Sequence, residues 1–232
     1  MAMEFRYIQS KDNRWSAGQA MESINTVESA NKLATGVIKN APTVTSAGAC
    51  QGISMWWLIK TALGEDFWDW FGPPAKAAPT STRANGVAGE PVKFIKEIMM
   101  VQSALSGLQG FKRENNHSAA INYILAKTKG HLTNKRGMVV RNGETWRTFA
   151  TEITVAKGYC FIGFSRAGWG GHAVAAHICN DGKVDFLDPN HGEFETDNAS
   201  QFITWIADVL GPSYGFDTLT SFELQTLSRP GQ

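Results

Sequence analysis

Gly170-Gly171-His172-Ala173-Val174-Ala175-Ala176-His177-Ile178-Cys179, then Asn180-Asp181-Gly182, then Lys183-Val184-Asp185-Phe186-Leu187-Asp188-Pro189-Asn190 is the stretch that decides the fold. Two apolar runs joined by a short polar, glycine-containing turn read as a β-hairpin. Side chains alternate along a strand, so His172, Val174, Ala176 and Ile178 share one face. A two-residue loop, Asp181-Gly182, sets Asp188 opposite Ala175, on the wrong face. A three-residue loop, Asn180-Asp181-Gly182, sets it opposite Val174, on the face of His172. Gly182 then takes the left-handed position of a type I turn with a bulge. The three-residue loop is the expectation.

Working outward, Met138-Val-Val-Arg141, Tyr159 to Ser165 and Phe216 to Leu227 read as further strands. Upstream the pattern is helical. Gln51 to Leu63 closes at Gly64 and is apolar on every side, the mark of a central, buried helix. Pro91 to Leu108 and Glu114 to Lys127 read as two more helices, with Pro91 in a first turn. Asp197 to Leu210 reads as a helix ended by Gly211-Pro212. Helices first and an antiparallel sheet second is the α+β class. Residues 1–45 are more polar and form an N-terminal segment, partly helical or flexible, with an amphipathic stretch over Ser16 to Ile38. Residues 46–232 form the main domain. Within it, Gly72 to Glu90 is a long Pro-, Gly- and Ala-rich loop.

The 232 residues are 43% hydrophobic, enough to build a core. Lys and Arg number 22 against 21 Asp and Glu, a formal charge of +1. That balance argues against a nucleic-acid binder and a polybasic membrane anchor. No phosphate loop or basic-aromatic strip occurs. The longest uncharged stretch, Ala41 to Ile59, is rich in Thr, Ser and Gly, so no membrane span is expected. Three cysteines (Cys50, Cys160, Cys179) cannot build a disulfide framework, which points to a reducing compartment. The first residues lack the apolar core of a secretory signal.

Three places carry chemistry. Cys50 opens the buried helix, where the dipole and free backbone N–H groups favour thiolate. The same N–H groups, at Cys50 and Gln51, suit an oxyanion. Gly48 and Gly52 leave room for a substrate backbone. His172, after Gly170 and Gly171 at a strand edge, is a base for that thiol. Asp188 closes the next strand and can orient the imidazole. Trp57, Trp169, Gly170 and Gly171 are the candidate walls of a substrate cleft.

Cys, His and Asp in this order and setting resemble the papain-like cysteine peptidases, and more closely the YopT/AvrPphB-like family of bacterial effector proteases. The carrying residues are Gly48-Ala-Cys50-Gln-Gly52-Ile-Ser54, Gly171-His172-Ala-Val, and Phe186-Leu-Asp188-Pro-Asn190-His-Gly192-Glu-Phe194. Asp-Pro-Asn-x-Gly-Glu-Phe is the most specific of them. The spacings, 122 residues from Cys50 to His172 and 16 from His172 to Asp188, look like that family. The resemblance spans residues 46–195.

It implies a papain-like catalytic domain with Cys50 as nucleophile, His172 as base and Asp188 as orienting acid. It implies no metal and no organic cofactor. It implies a protein substrate in a target cell, and an enzyme made in a bacterial cytoplasm, secreted without a classical signal peptide and acting in the target-cell cytosol. A toxin of this kind aimed at bacteria needs a cognate immunity protein. One departure stands out. Papain-like enzymes place an Asn or Gln a few residues before the Cys as a second oxyanion donor, and this chain has Thr43-Val-Thr45-Ser46-Ala-Gly-Ala instead. Thr45, Ser46, Gln51 and Asn40 are the substitutes at hand.

The same triad also serves glutamine deamidation, transglutamination or cleavage of a cell-wall peptide amide, and the fold can persist as a non-catalytic binding module. Among the remaining candidates, Cys160 and Cys179 read as core. His177 faces away from His172 and reads as structural, and His191 is a competitor for the base. His117 and His131 read as surface residues. A zinc site lacks support from any Cys-x-x-Cys or His-x-x-x-His pair. The run Glu65-Asp-Phe-Trp-Asp-Trp-Phe71 reads equally as cleft wall or as a loop packed over the core.

Overall fold

In the computed structural model the described residues are 50–67, 70, 97–98, 101, 113–167, 170–189 and 191–231. The N-terminal segment, the long loop at 72–90, Thr45 and Trp169 lie outside them. The elements are α1 (Cys50–Leu63), α2 (Arg113–Thr128), β1 (Thr133–Thr145), α3 (Trp146–Ala156), β2 (Gly158–Arg166), β3 (Gly170–Ile178), β4 (Val184–Asp188), β5 (Gly192–Thr196), α4 (Ala199–Trp205), α5 (Gly211–Ser213) and β6 (Thr218–Ser228). A π-helical turn, Ile206–Leu210, joins α4 to α5.

The strands form one sheet in the order β1-β6-β2-β3-β4-β5, and every neighbouring pair is antiparallel. Strand alternation splits its side chains between two cores. Tyr159, Phe161, Ala173, Ala175, Leu187 and Leu227 face α1 and α2. Cys160, Ile162, Phe164, Val174, Ala176 and Phe186 face α3, α4 and the π turn. Burial on both faces explains why β2, β3 and β4 read as near-continuous apolar runs. It also explains α1, which has Ile53, Met55, Trp57, Leu58 and Ile59 each at most 1% exposed.

The β3–β4 register is the expected one. Ala175 faces Leu187 and Ile178 faces Val184, and Cys179 N–H donates to Lys183 O at 2.9 Å. Three residues, 180–182, make the loop, and Gly182 has φ +92°. Asp188 therefore falls on the face of His172.

The first four-turn helix is present as expected. Of Pro91 to Leu108, the described positions are helical, with Ile98 and Val101 buried. Two elements were not expected. α3 has Trp146, Phe149, Ala150 and Ile153 buried on one face, with Thr145 Oγ1 capping Thr148 N–H at 3.2 Å. β5 occupies the Gly-Glu-Phe part of the motif.

Gly211-Pro212 does not end the last helix, contrary to expectation. Gly211 N–H bonds to Ile206 O, the wide bond of a π turn, and the chain continues helically to Ser213. Gly211 is required there because a Cβ would sit 2.4 Å from the ring of Trp146.

Candidate active site

Helix α1 approaches β3 at a gap in the ladder. β4 pairs with β3 only from Ala175 onward, so the backbone of Ala173 is left to serve the helix. Its carbonyl accepts from Ser54 Oγ at 3.0 Å, and its N–H is directed at Cys50. One turn further on, Trp57 Nε1 donates to Glu193 Oε1 at 3.0 Å. Positions 50, 54 and 57 thus form a single face of α1 pinned to the sheet. Glu193 explains the carboxylate in the Gly-Glu-Phe motif: it ties β5 to the helix that carries the thiol.

Two expectations are corrected here. Trp57 is 1% exposed and bonded to Glu193, so it is a core anchor and not a cleft wall. Gly52 does not leave room for a substrate, because a Cβ there would meet the carbonyl oxygen of Ile98 at 2.7 Å. Its lack of a side chain lets two helical segments touch. Gly171 is exposed at the start of β3, with ordinary clearance around it.

His172 is buried and bridges the other two residues. Its Nε2–H donates to Asp188 Oδ1 at 2.9 Å, which leaves Nδ1 for the hydrogen bond with Cys50. The imidazole is held edge-on by Phe164, with ring centroids 5.3 Å apart. Asp188 is fully buried. A lone buried carboxylate would be costly, and this one is satisfied three times over. Besides His172, it accepts from His191 Nδ1–H at 3.1 Å and from the Tyr214 hydroxyl. His191 in turn touches Ser213 Oγ through Nε2 at 3.2 Å. Tyr214 and Ser213 come from the segment just after the π turn, so that irregularity aims them at Asp188. His191 is thus a partner of Asp188 and is not positioned as a rival base.

The electrostatics follow from this order of groups. Burial alone would raise the Cys50 thiol. The bond and charge of His172, with the backbone N–H groups of Ala173 and Gln51, outweigh that and lower it. Burial alone would lower His172, yet the Asp188 carboxylate and then Cys50 push it up to about 10. Burial would raise Asp188, but His172 first and His191 second hold it well below the usual carboxylate range. All three shifts favour a thiolate beside an imidazolium, backed by a buried carboxylate. Gln51 N–H is directed at the sulfur and helps to hold its charge.

The other cysteines differ. Cys160 is fully buried, as expected, and burial pushes its thiol up to about 12. Cys179 is not core: it stands half-buried just past the end of β3, with His177 and Asp185. Sequence reasoning missed Tyr214, whose signal depends on a helix irregularity, and the His177–Cys179–Asp185 cluster, whose members follow from alternation plus the hairpin register. Of the acidic-aromatic run, Phe67 is buried in the core and Trp70 stacks on Trp56 at 4.7 Å, so these members pack over the core. His131 is exposed, as expected.

Residues 148–227 match the Peptidase C58 family model, described as Yersinia/Haemophilus virulence surface antigen. That span contains His172 and Asp188 and begins after Cys50. The crystal structure of the Pseudomonas avirulence protein AvrPphB has a similar fold, with a TM-score of 0.50 at 17% identity, covering 84% of this chain and 98% of that one. No curated protein matches this sequence. In matched sequence and in its α+β, papain-like fold, the chain is similar to the YopT/AvrPphB-like cysteine peptidases.

Proposed function

We propose that this protein is a cysteine endopeptidase that acts as a bacterial effector or interbacterial toxin and cleaves a target-cell protein. The observation that carries the reading is the line Asp188–His172–Cys50, with the thiol lowered and the imidazole raised. Cys50 thiolate attacks the peptide carbonyl, and the oxyanion forms at the N-terminus of α1, near Gln51 N–H. His172 takes the thiol's proton, a transfer favoured by the lowered thiol and the raised imidazole. It delivers that proton to the leaving amine, then takes one from the water that hydrolyses the thioester. Asp188 holds the imidazolium in orientation.

The three cysteines are free, and the chemistry requires one of them as thiolate, which suits a reducing target-cell cytosol. Delivery from the bacterial cytoplasm to that compartment, and an immunity protein where the target is bacterial, complete the proposal.

The test is N-terminal labelling mass spectrometry on bacterial and eukaryotic lysates treated with wild type or Cys50→Ala. New N-termini with wild type alone are expected, and they name the substrate and its kingdom. Cleavage by Cys50→Ala equal to wild type would sink the mechanism. No new N-termini, with Cys50 still alkylated at neutral pH, would shift the triad to deamidation or transglutamination. An inert Cys50 would leave a binding module.

A further inference from the structure

The far end of the β3–β4 hairpin carries a second grouping of Cys, His and Asp. His177 and Cys179 are two residues apart on an extended chain, so their side chains share a face. Asp185 is the direct cross-strand partner of His177. The three donor atoms converge: His177 Nδ1 and Asp185 Oδ2 are 3.2 Å apart, and Cys179 Sγ is 3.5 Å from each. All three residues are half-buried, so their outer side is open to solvent.

We propose that His177, Cys179 and Asp185 bind a transition-metal dication, with Zn2+ the best fit. A tetrahedral Zn2+ holds nitrogen and oxygen ligands at about 2.0–2.2 Å and sulfur at about 2.3 Å, which spaces donors roughly 3.3–3.6 Å from one another. The observed edges, 3.2, 3.5 and 3.5 Å, lie in or just below that range. An ion seated over it needs little movement of the backbone, and its fourth position faces solvent for a water. A thiolate, an imidazole and one carboxylate suit Zn2+ or Co2+ and are too soft a set for Mg2+ or Ca2+. The surroundings are anionic, since the carboxylates of Asp181 and Glu195 also act on the Cys179 sulfur. The ligating ring is braced, because His177 stacks on Tyr159 with centroids 4.2 Å apart and planes 17° apart. Binding replaces the Cys179 S–H bond with a metal–sulfur bond and releases that proton to solvent. The site lies at the opposite end of β3 from His172, so it acts on the hairpin and not on the reacting atoms.

The test uses the full chain carrying Cys50→Ala, so that the thiol beside His172 cannot hold the ion. Co2+ titration should give one equivalent with a sulfur-to-cobalt charge-transfer band and tetrahedral d–d bands. Zn2+ should displace the cobalt and raise the melting temperature. Adding Cys179→Ser should abolish the charge-transfer band and weaken Zn2+ binding at least about ten-fold, and adding Asp185→Asn should weaken it in the same direction. Absence of the bands, or bands that survive Cys179→Ser, would overturn the proposal. A melting temperature unmoved by Zn2+ would likewise count against binding to the folded protein.

Discussion

Strand β3 ends in the same three residue types twice, and the two ends behave in opposite ways. At one end the order is carboxylate, imidazole, thiol: Asp188 touches His172, and His172 touches Cys50. At the other end all three groups touch one another, and Asp185 lies directly on Cys179. The first thiol is lowered because its neighbours are a cation and two backbone N–H groups. The second is pushed up to about 12, by loss of water first and by the charges of Asp185, Asp181 and Glu195 after it. A nucleophile needs the carboxylate one residue removed, where it raises the imidazole without repelling the sulfur. Composition is shared between the two ends, and connectivity separates them.

The largest test of this contrast compares the two aspartates. Asp188→Ala removes a buried anion and strands three donors, His172, His191 and Tyr214. Breaking such a buried network costs about 3–5 kcal/mol. Turnover should fall by ~10^4-fold, since the imidazole loses its orienting partner. Asp185→Ala, in metal-free protein, removes a half-exposed contact and should change stability by less than about 1 kcal/mol. Chemical denaturation of both variants beside wild type measures the difference. Equal destabilisation would mean that burial and donor count do not distinguish the two ends.

A finer test reads the thiolate itself. Cys50 lies below the ordinary thiol value of 9.0, so its thiolate persists to lower pH than that of an ordinary thiol. His172 titrates near 10, so its imidazolium persists until pH rises through that value. The ion pair therefore exists between the two. Turnover should decline on the acid side as the thiolate gains a proton, and on the alkaline side as the imidazolium loses one. An ordinary thiol is almost wholly protonated at about pH 6.5, so iodoacetamide should modify wild-type Cys50 several-fold faster than Cys50 in His172→Ala. Rates that coincide would show that the imidazole does not hold the thiol's proton.

Much of this arrangement was legible in the sequence for a physical reason. A strand alternates with period two, so one turn decides which face every later residue takes. The Asn-Asp-Gly turn and the apolar runs around it were enough to put Asp188 with His172. Helix α1 was legible because burial on all sides leaves no polar stripe. The remainder depends on contacts with no local signature. Trp57 reads as a candidate cleft wall until Glu193, 136 residues away in the chain, is seen to hold it. Tyr214 reaches Asp188 only because Gly211 lies flat against Trp146 and the helix before it widens into a π turn. Strand β6 inserts between β1 and β2, a choice that side-chain pattern does not encode.

Gly182 lies in the turn that joins β3 to β4, and altering it is the mildest way to test the comparison. It stands in the left-handed region at φ +92°, with open space where a Cβ would go. Gly182→Ala therefore meets no steric obstacle, and its cost is backbone strain alone, about 1–2 kcal/mol. Of the adjoining pairs, Ile178–Val184, Ala176–Phe186 and Ala175–Leu187 are buried, and His177–Asp185 between them is half-buried. A one-residue slip would turn Val184, Phe186 and Asp188 to the opposite face, at a price well above that strain. The register should hold, so the variant should melt a few degrees lower while Cys50 keeps its wild-type alkylation rate. If Cys50 alkylation slows with the melt, the turn sets the register, and packing along the hairpin is too weak to keep His172 and Asp188 on one face without it.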